Sequence, residues 1–169
     1  QNAFVEDAGC YMSGALSQAR ALEGLKVLDF GWSVAGPLTT KFLSDYGATI
    51  VKVESFQRLD IGRTYYPMAE NKPGINRCGW FDKYATGKKS IGLNLNSPKG
   101  MYLAKKLVGW ADVVLENFTA GTLERWGLSY EDLVNIRKDI ILIRMSVFGQ
   151  TGPLAKQAAF GTMLQSYAG

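Results

Sequence analysis

Histidine is absent from the 169-residue sequence, and cysteine occurs only twice. Without histidine the chain cannot itself supply a Ser-His-Asp or Cys-His catalytic pair, and it lacks the commonest metal ligand. Cys10 and Cys78 form no C-x-x-C pair, so neither a zinc site nor a disulfide framework is expected. Free thiols are typical of a reducing compartment, which predicts a cytoplasmic protein without a bound metal.

Long apolar runs and strong charge are missing as well. No apolar stretch reaches the length of about 18 residues that a membrane span needs, and the first residues lack the basic start and apolar core of a secretory signal. Lys and Arg number 19 against 15 Asp and Glu, without a basic run. This mild charge argues against nucleic-acid and membrane partners. Residues 1–21 are interpreted as a leader or linker, and residues 22–169 as the folded part.

Short apolar runs alternate with amphipathic stretches along the rest of the chain. This alternation predicts an α/β fold, with a mostly parallel sheet and helices on both of its faces. Between the second strand and the third, residues 55–82 show neither the helical nor the strand spacing of apolar residues. This segment is predicted to be a long loop with a functional role or high mobility. Strands are predicted over residues 25–30, 48–54, 89–95, 112–117 and 140–149, and helices over 37–47, 97–111, 122–127, 129–139 and 159–169.

The strand ends carry the candidate ligand-binding residues, because ligands of open α/β sheets bind at the carboxyl ends of the strands. The fourth strand ends in a carboxylate, an amide and an aromatic ring over residues 116–118. Asn117 is expected either to hydrogen-bond a ligand amide or to cap a turn. Arg125 suits a phosphate bound through two hydrogen bonds, although pattern alone favours an exposed surface arginine. Lys88 and Lys89 are expected at a solvated rim or near a phosphorylated ligand.

The first strand-to-helix turn, "DFGWSVAGP", matches neither G-x-G-x-x-G nor G-x-x-x-x-G-K-[ST]. The missing fingerprint glycines argue against an NAD-type dehydrogenase. The small residues ahead of the helix nevertheless leave backbone N–H groups for an anion or a carbonyl.

Four stretches together resemble the class III CoA-transferases, the family of the formyl-CoA and carnitine CoA-transferases. They occur in the family's order and spacing and extend over about residues 22–169. No single stretch is specific, but the four together are. They are "LEGLKVLDFGWSVAGPLTTKFLSDYGATIVKVE", "GKKSIGLNLNSPKG", "ADVVLENFTAGTLERWGLSYEDL" and "FGQTGP".

The resemblance implies a Rossmann-like large domain, of which residues 22–169 are the N-terminal part, in a homodimer of interlaced subunits. It implies transfer of CoA between an acyl-CoA and a carboxylic acid acceptor, with the CoA thioester as substrate and no separate cofactor. The family's nucleophile is an aspartate carboxylate. That aspartate lies beyond the stretch matched here by "LQSYAG", so the matching catalytic residue is not in this chain.

The resemblance also assigns CoA-binding positions. Val34 stands where formyl-CoA transferase has a glutamine. Ser55 stands where that enzyme has an arginine, so the phosphate contact of the arginine would be lost or made here by Arg58 or Arg63. Phe148 replaces a tyrosine, which argues against formate or oxalate chemistry, and Ser146 replaces a lysine. The CoA-binding positions are Ser33, Val34, Ala35, Leu93, Asn117, Phe118, Thr122, Arg125, Trp126, Ser146 and Phe148.

Two alternatives to the transferase remain open from the sequence. One is an α-methylacyl-CoA racemase-like isomerase, whose catalytic histidine would stand at Phe160. The other is a non-catalytic CoA-binding half of a fused protein, for which residues 1–21 would be a linker. The acyl groups are not specified by the motifs; acceptor choice is expected to depend on Ser55–Asp82 and on a small domain outside this chain.

Overall fold

A five-stranded sheet, parallel throughout, forms the centre of the protein. The computed structural model describes residues 20–169, and the interpretation of residues 1–21 as a leader or linker therefore lies almost wholly outside the described residues. The strand order is β3-β2-β1-β4-β5, which confirms the predicted α/β fold. The strands are β1 (Lys26–Asp29), β2 (Thr49–Glu54), β3 (Lys88–Gly92), β4 (Val113–Glu116) and β5 (Ile141–Arg144).

Six helices connect or follow the strands in the described part of the chain. Five agree with the predicted ones apart from their ends, and α1 begins at Ala35 because Pro37 is tolerated in a first turn, where no intrahelical N–H bond is required. Only α2 was not predicted. The helices are α1 (Ala35–Asp45), α2 (Gly79–Ala85), α3 (Pro98–Trp110), α4 (Thr122–Arg125), α5 (Tyr130–Ile136) and α6 (Gly161–Ala168).

Side chains alternate between the two faces of the sheet, and helices cover both faces. Val27 and Val113 belong to a small apolar cluster, against which Leu43 of α1 packs. Their neighbours Leu28 and Val114 point the other way, into a larger cluster that contains buried residues of α3, α4 and α5. No helix within residues 20–169 is both long and apolar enough to cross a membrane.

The segment predicted as a loop over residues 55–82 contains short regular elements and is not irregular throughout. It contains two 3₁₀ turns, Ile61–Thr64 and Ala69–Asn71, and its last residues belong to α2. Met68 and Cys78 form an isolated antiparallel bridge within it. The segment therefore has a defined conformation and can position groups at the sheet edge.

Candidate functional site

A cleft of about 1290 Å³ lies at the carboxyl edge of the sheet. Residues that follow each of the five strands line it, for example Ser33, Ser55, Asn94, Asn117 and Ser146. Its volume is above the roughly 300–1000 Å³ of typical small-ligand pockets, so a large ligand fits. We refer to it as the ligand cleft.

The ligand cleft brings together all but one of the positions that the sequence assigned to CoA. Phe148 is the exception, because its ring packs edge-on against Tyr167, with the ring centroids 5.3 Å apart. Phe148 therefore lies outside the lining of this cleft. The residues that do line the cleft are Ser33, Val34, Ala35, Leu93, Asn117, Phe118, Thr122, Arg125, Trp126 and Ser146.

The three side chains at the end of β4, Glu116, Asn117 and Phe118, make different contacts. Glu116 is buried, and its carboxylate accepts hydrogen bonds from Arg144 Nε at 2.9 Å and from the Phe118 N–H at 2.7 Å. Asn117 accepts from the Trp32 N–H at 2.7 Å and donates to the Trp32 carbonyl at 2.9 Å. The Asn117 amide thus joins two loops of the cleft, and the ring of Phe118 lines the cleft.

The loop between β1 and α1 requires glycine at two places. A Cβ atom on Gly31 would lie 2.8 Å from the Cα of Gly36, and a Cβ on Gly36 would lie 2.8 Å from the Cα of Gly31. Either distance is too short for packed carbon atoms. The two glycines therefore serve a close approach of the backbone rather than a phosphate fingerprint.

Two backbone N–H groups of this loop remain available to a ligand. Those of Gly31 and Ser33 donate to buried side chains, Asp29 at 2.7 Å and Asp60 at 2.8 Å. Within residues 20–169, no acceptor takes the N–H groups of Val34, the N-cap of α1, and of Ala35, its first residue. Because a helix N-terminus carries partial positive charge, these groups favour an anionic or carbonyl ligand.

Two arginines of the ligand cleft have no carboxylate within ion-pair distance in the described part of the chain. Arg125 is exposed, and its Nη2 lies 2.9 Å from Thr122 Oγ1. The Arg58 guanidinium lies over the indole of Trp32, 5.4 Å from the ring centroid. Both charges are therefore available for phosphate or carboxylate groups.

Arg63 and Lys88, by contrast, are engaged within the protein. Arg63 forms two hydrogen bonds of 2.8 Å with the Glu54 carboxylate, which raise the pKa of Arg63 above its usual value. Lys88 is buried beside Asp29, at 3.1 Å, and burial lowers the pKa of its ammonium. The expected solvated rim at Lys88 is therefore wrong, and of the two candidates for the missing phosphate contact only Arg58 is available.

Aromatic rings form much of the wall. The sequence assigned Phe118 and Trp126 to the site and missed Trp32, Tyr65 and Trp80. Phe118 stands edge-on between Trp32 and Trp126, with centroids 5.6 and 5.4 Å away. Tyr65 and Trp80, from the long segment after β2, also line the cleft. The many aromatic residues in that segment were the signal, because loops without a packing role seldom contain them.

The described residues offer binding groups but little for covalent chemistry. Glu54 is the one carboxylate among the lining residues of the described part, and it is paired with Arg63. Phe160, where an isomerase would need histidine, also lines the cleft. In residues 20–169 no cluster of three or more metal-ligating side chains is found. The geometry therefore suits ligand binding by this chain.

Known proteins are similar to this chain in sequence and in fold. The chain is 41% identical over 152 residues to a succinyl-CoA–D-citramalate CoA-transferase of Chloroflexus aurantiacus, covering 89% of this chain and 36% of the relative. It is 34% identical over 155 residues to a human succinyl-CoA:glutarate CoA-transferase, covering 91% and 34%. The chain thus spans about a third of the length of these curated relatives.

A solved structure agrees with the sequence comparison. The crystal structure of a CAIB/BAIF family protein from Brucella suis superposes with a TM-score of 0.80 at 37% identity, covering 89% of this chain and 39% of that one. The family model for CoA-transferase family III matches residues 22–169. This chain belongs to CoA-transferase family III.

Proposed function

We propose that the full-length protein is an acyl-CoA:carboxylate CoA-transferase, and that residues 22–169 are the N-terminal part of its large domain and hold CoA. One observation carries the proposal. Ten of the eleven positions assigned to CoA, which are scattered from Ser33 to Ser146 in sequence, line a single cleft at the carboxyl edge of the sheet. A ligand site at this edge is the expectation for an open α/β sheet.

The groups of the ligand cleft match the parts of CoA. CoA carries phosphate groups on its nucleotide and a long uncharged arm that ends in sulfur. The N–H groups of Val34 and Ala35 suit a phosphate or a carbonyl at the start of α1. Arg58 and Arg125 suit phosphates through paired hydrogen bonds. The rings of Phe118 and Trp126 provide apolar surface for the arm or the base.

The proposed reaction needs a carboxylate nucleophile from outside this chain, as the family resemblance implies. That carboxylate attacks the acyl thioester, and the CoA thiolate leaves to give a mixed anhydride. The thiolate then attacks the enzyme's carbonyl, which releases the first acid and leaves an enzyme thioester. The acceptor acid repeats the two steps in reverse. We therefore propose that residues 20–169 bind CoA and do not turn over alone.

The named relatives guide the choice of substrates. Two of them are named for succinyl-CoA with citramalate or glutarate, and another is an acetyl-CoA:oxalate CoA-transferase of Acetobacter aceti at 37% identity. We propose a short dicarboxylic acid as the acceptor. Since Phe148 lies outside the cleft, the sequence argument against oxalate has no structural support.

Assembly, location and cofactor use belong to the same proposal. We propose a homodimer, for which exposed apolar side chains of α1 give support. We propose a cytoplasmic location, because Cys78 is a buried free thiol, as is typical of reducing compartments. No cofactor is proposed apart from the CoA thioester, which is a substrate.

Calorimetric titration of CoA into the full-length protein tests the proposal. A charge-assisted contact contributes about 1.5–3 kcal/mol, so Arg125→Ala should weaken CoA binding by about tenfold to a hundredfold. Lys138→Ala is the matched control, because Lys138 is exposed and precedes β5 at the opposite edge of the sheet. Titration of both proteins with 3′-dephospho-CoA shows whether Arg125 contacts the 3′-phosphate.

Two outcomes would contradict the proposal at different levels. Wild-type affinity in Arg125→Ala would show that Arg125 is a surface residue and that its assignment to CoA is wrong. No heat with any CoA species in the wild-type protein would remove the functional claim itself.

A further inference from the structure

A buried ion pair lies directly behind the loop that faces the ligand cleft. The side chains of Lys52 and Asp60 are 2% and 0% exposed, and the Lys52 ammonium lies 3.0 Å from Asp60 Oδ2. This is a charge contact without hydrogen-bond alignment. Lys52 donates its hydrogen bond to the carbonyl of Gly31 instead. Neither side chain lines the cleft.

Asp60 holds the backbone of Ser33 in an unusual conformation. Ser33 has a φ of 63°, in the left-handed region that residues with a Cβ rarely adopt. Its N–H donates to Asp60 Oδ1 at 2.8 Å, and the Gly62 N–H donates to the same oxygen at 2.8 Å. A backbone held in a sparsely populated region persists only where its surroundings fix it.

Two further contacts tie the same turn to Ser33. The Ser33 hydroxyl lies 3.3 Å from the hydroxyl of Tyr65. A Cβ on Gly62 would lie 3.3 Å from the Ser33 carbonyl oxygen and 3.2 Å from Asp60 Oδ1. The turn that carries Asp60 therefore packs closely on the residue that precedes the two available N–H groups.

Stability alone does not explain the ion pair. Burial of two charges costs much of what their attraction returns, and apolar residues of similar size often stabilise a fold equally well. What distinguishes Lys52 and Asp60 is their shared contact with the loop of Gly31 and Ser33. Their hydrogen bonds hold the residues that precede Val34 and Ala35, both of which line the cleft.

We propose that Asp60, held by Lys52, is a positioning residue for coenzyme binding. By fixing Ser33 in the left-handed conformation, it aims the N–H groups of Val34 and Ala35 into the ligand cleft. The proposal rests on the proposed function, since it takes CoA as the ligand. Asp60 itself touches neither the coenzyme nor the reacting atoms.

Asp112 provides a matched control for substitutions at Asp60. Its carboxylate also accepts a backbone hydrogen bond, from the Lys26 N–H at 2.8 Å, and also pairs with a cation, Arg137. It lies at the opposite edge of the sheet, outside the ligand cleft. The experiment compares Asp60→Ala, Asp60→Asn and Asp112→Ala in the full-length protein. It measures CoA affinity by calorimetry, thermal stability, and amide hydrogen exchange of residues 32–35.

We expect Asp60→Ala to weaken CoA binding by about tenfold or more, and Asp112→Ala to change it by less than about twofold, even where both lower the melting temperature. Asp60→Asn retains an oxygen that can accept from Ser33, so it should keep CoA affinity within about threefold of wild type. Faster exchange at Ser33, whose N–H loses its acceptor, is expected in Asp60→Ala and not in Asp112→Ala.

Equal losses of affinity in Asp60→Ala and Asp112→Ala would overturn the proposal, because general destabilisation would then explain both. Unchanged affinity and exchange in a folded Asp60→Ala would overturn it too. If Asp60→Ala does not fold, the same comparison is made with the double variant Lys52→Met, Asp60→Leu, which removes the acceptor for Ser33 and leaves no unpaired buried charge. It should weaken CoA binding and speed exchange at Ser33 as Asp60→Ala would, and wild-type values of both would overturn the proposal. Failure of the wild-type protein to bind CoA would instead contradict the proposed function. In that case the hydrogen-exchange comparison, which needs no ligand, would still test whether Asp60 holds Ser33.

Discussion

Asn117 shows how one side chain can serve both the fold and the site. Its amide oxygen and nitrogen both bond to the backbone of Trp32, across 85 residues of sequence. The side chain therefore fixes the loop after β1 relative to the end of β4. Because both polar atoms of the Asn117 amide are occupied, the role we propose for Asn117 is to hold the loop of Trp32 in place beside the cleft.

Replacement of Asn117 should therefore cost stability as well as affinity. Asn117→Ala leaves the N–H and carbonyl of Trp32 without partners, which costs about 1–3 kcal/mol of unfolding free energy when such groups are buried. Urea titration followed by circular dichroism measures the loss. Asn135→Ala, at an exposed position of α5, is the control and should leave stability unchanged. Equal stability of the two variants would contradict the role given to Asn117.

Individual residues were the hardest level to predict from sequence. Arg58 and Arg63 were equal candidates for one contact, because their sequence positions do not reveal that Glu54 binds Arg63. Phe148 was assigned to the cleft by its place in a motif, yet its ring packs on Tyr167 of the last helix. Each outcome depends on a through-space partner that local pattern does not specify.

Helix α5 illustrates the elements that local sequence does specify. Ser129 Oγ accepts from the Asp132 N–H at 3.1 Å, and Asp132 Oδ2 accepts from the Ser129 N–H at 2.9 Å. This reciprocal capping box is readable from residue types and spacing. Helix α2 was missed because its cap is a thiol: Cys78 Sγ accepts from the Phe81 N–H at 3.4 Å.

Loss of the capping box should destabilise the protein modestly. Ser129→Ala removes the acceptor for the Asp132 N–H, and such a change costs about 1 kcal/mol. Chemical denaturation measures it. Ser90→Ala is the control, since Ser90 is exposed on β3 and makes no side-chain hydrogen bond within residues 20–169. A Ser129→Ala variant as stable as Ser90→Ala would show that the cap contributes nothing.

The contact between α4 and β5 should make stability depend on pH. Hydrogen bonds from Arg144, at 2.7 and 3.1 Å, lower the pKa of Glu124 below its ordinary 4.5. A carboxyl group with a lowered pKa in the folded state contributes stability above its unfolded pKa and loses it as the pH falls through the folded value. The contribution of Glu124 is thus present at neutral pH and disappears in acid below 4.5.

Glu124→Gln should accordingly destabilise the protein at neutral pH and have less effect in acid. Urea titrations on both sides of pH 4.5, compared with wild type, measure the difference. Glu131→Gln, on the exposed side of α5 and without an ion pair in the described part of the chain, is the control. A pH-independent effect of Glu124→Gln would contradict the assigned role of Arg144.

For the whole molecule, the sequence predicted the class of fold and the edge of the sheet at which the cleft lies. Both follow from strand-helix alternation, because parallel strands place all their carboxyl ends on one side. The shape of the cleft could not be predicted from this alternation. Tyr65 and Trp80 enter it from the segment after β2, whose course depends on buried partners such as Asp60 and Cys78.

The outer face of α1 exposes two large aromatic side chains. Phe42 and Tyr46, one turn apart on α1 and at its end, are 55% and 61% exposed. At the sheet edge, Ile141 of β5 is 56% exposed. Exposed large apolar side chains that lie together mark association surfaces. This supports the proposed homodimer and points to α1 as part of its interface.

Sedimentation velocity tests this proposal directly. We expect the wild-type protein to sediment as a dimer or larger species and to dissociate on dilution. Replacement of Phe42 and Tyr46 together by lysine should weaken association, because a self-complementary interface would then bring like charges together without burying the rings. Tyr102→Lys, at an equally exposed aromatic of α3 on the other face of the sheet, should not. A wild-type protein that sediments as a monomer at every concentration would contradict the homodimer, and equal effects of the lysine variants would exclude α1 as the specific interface.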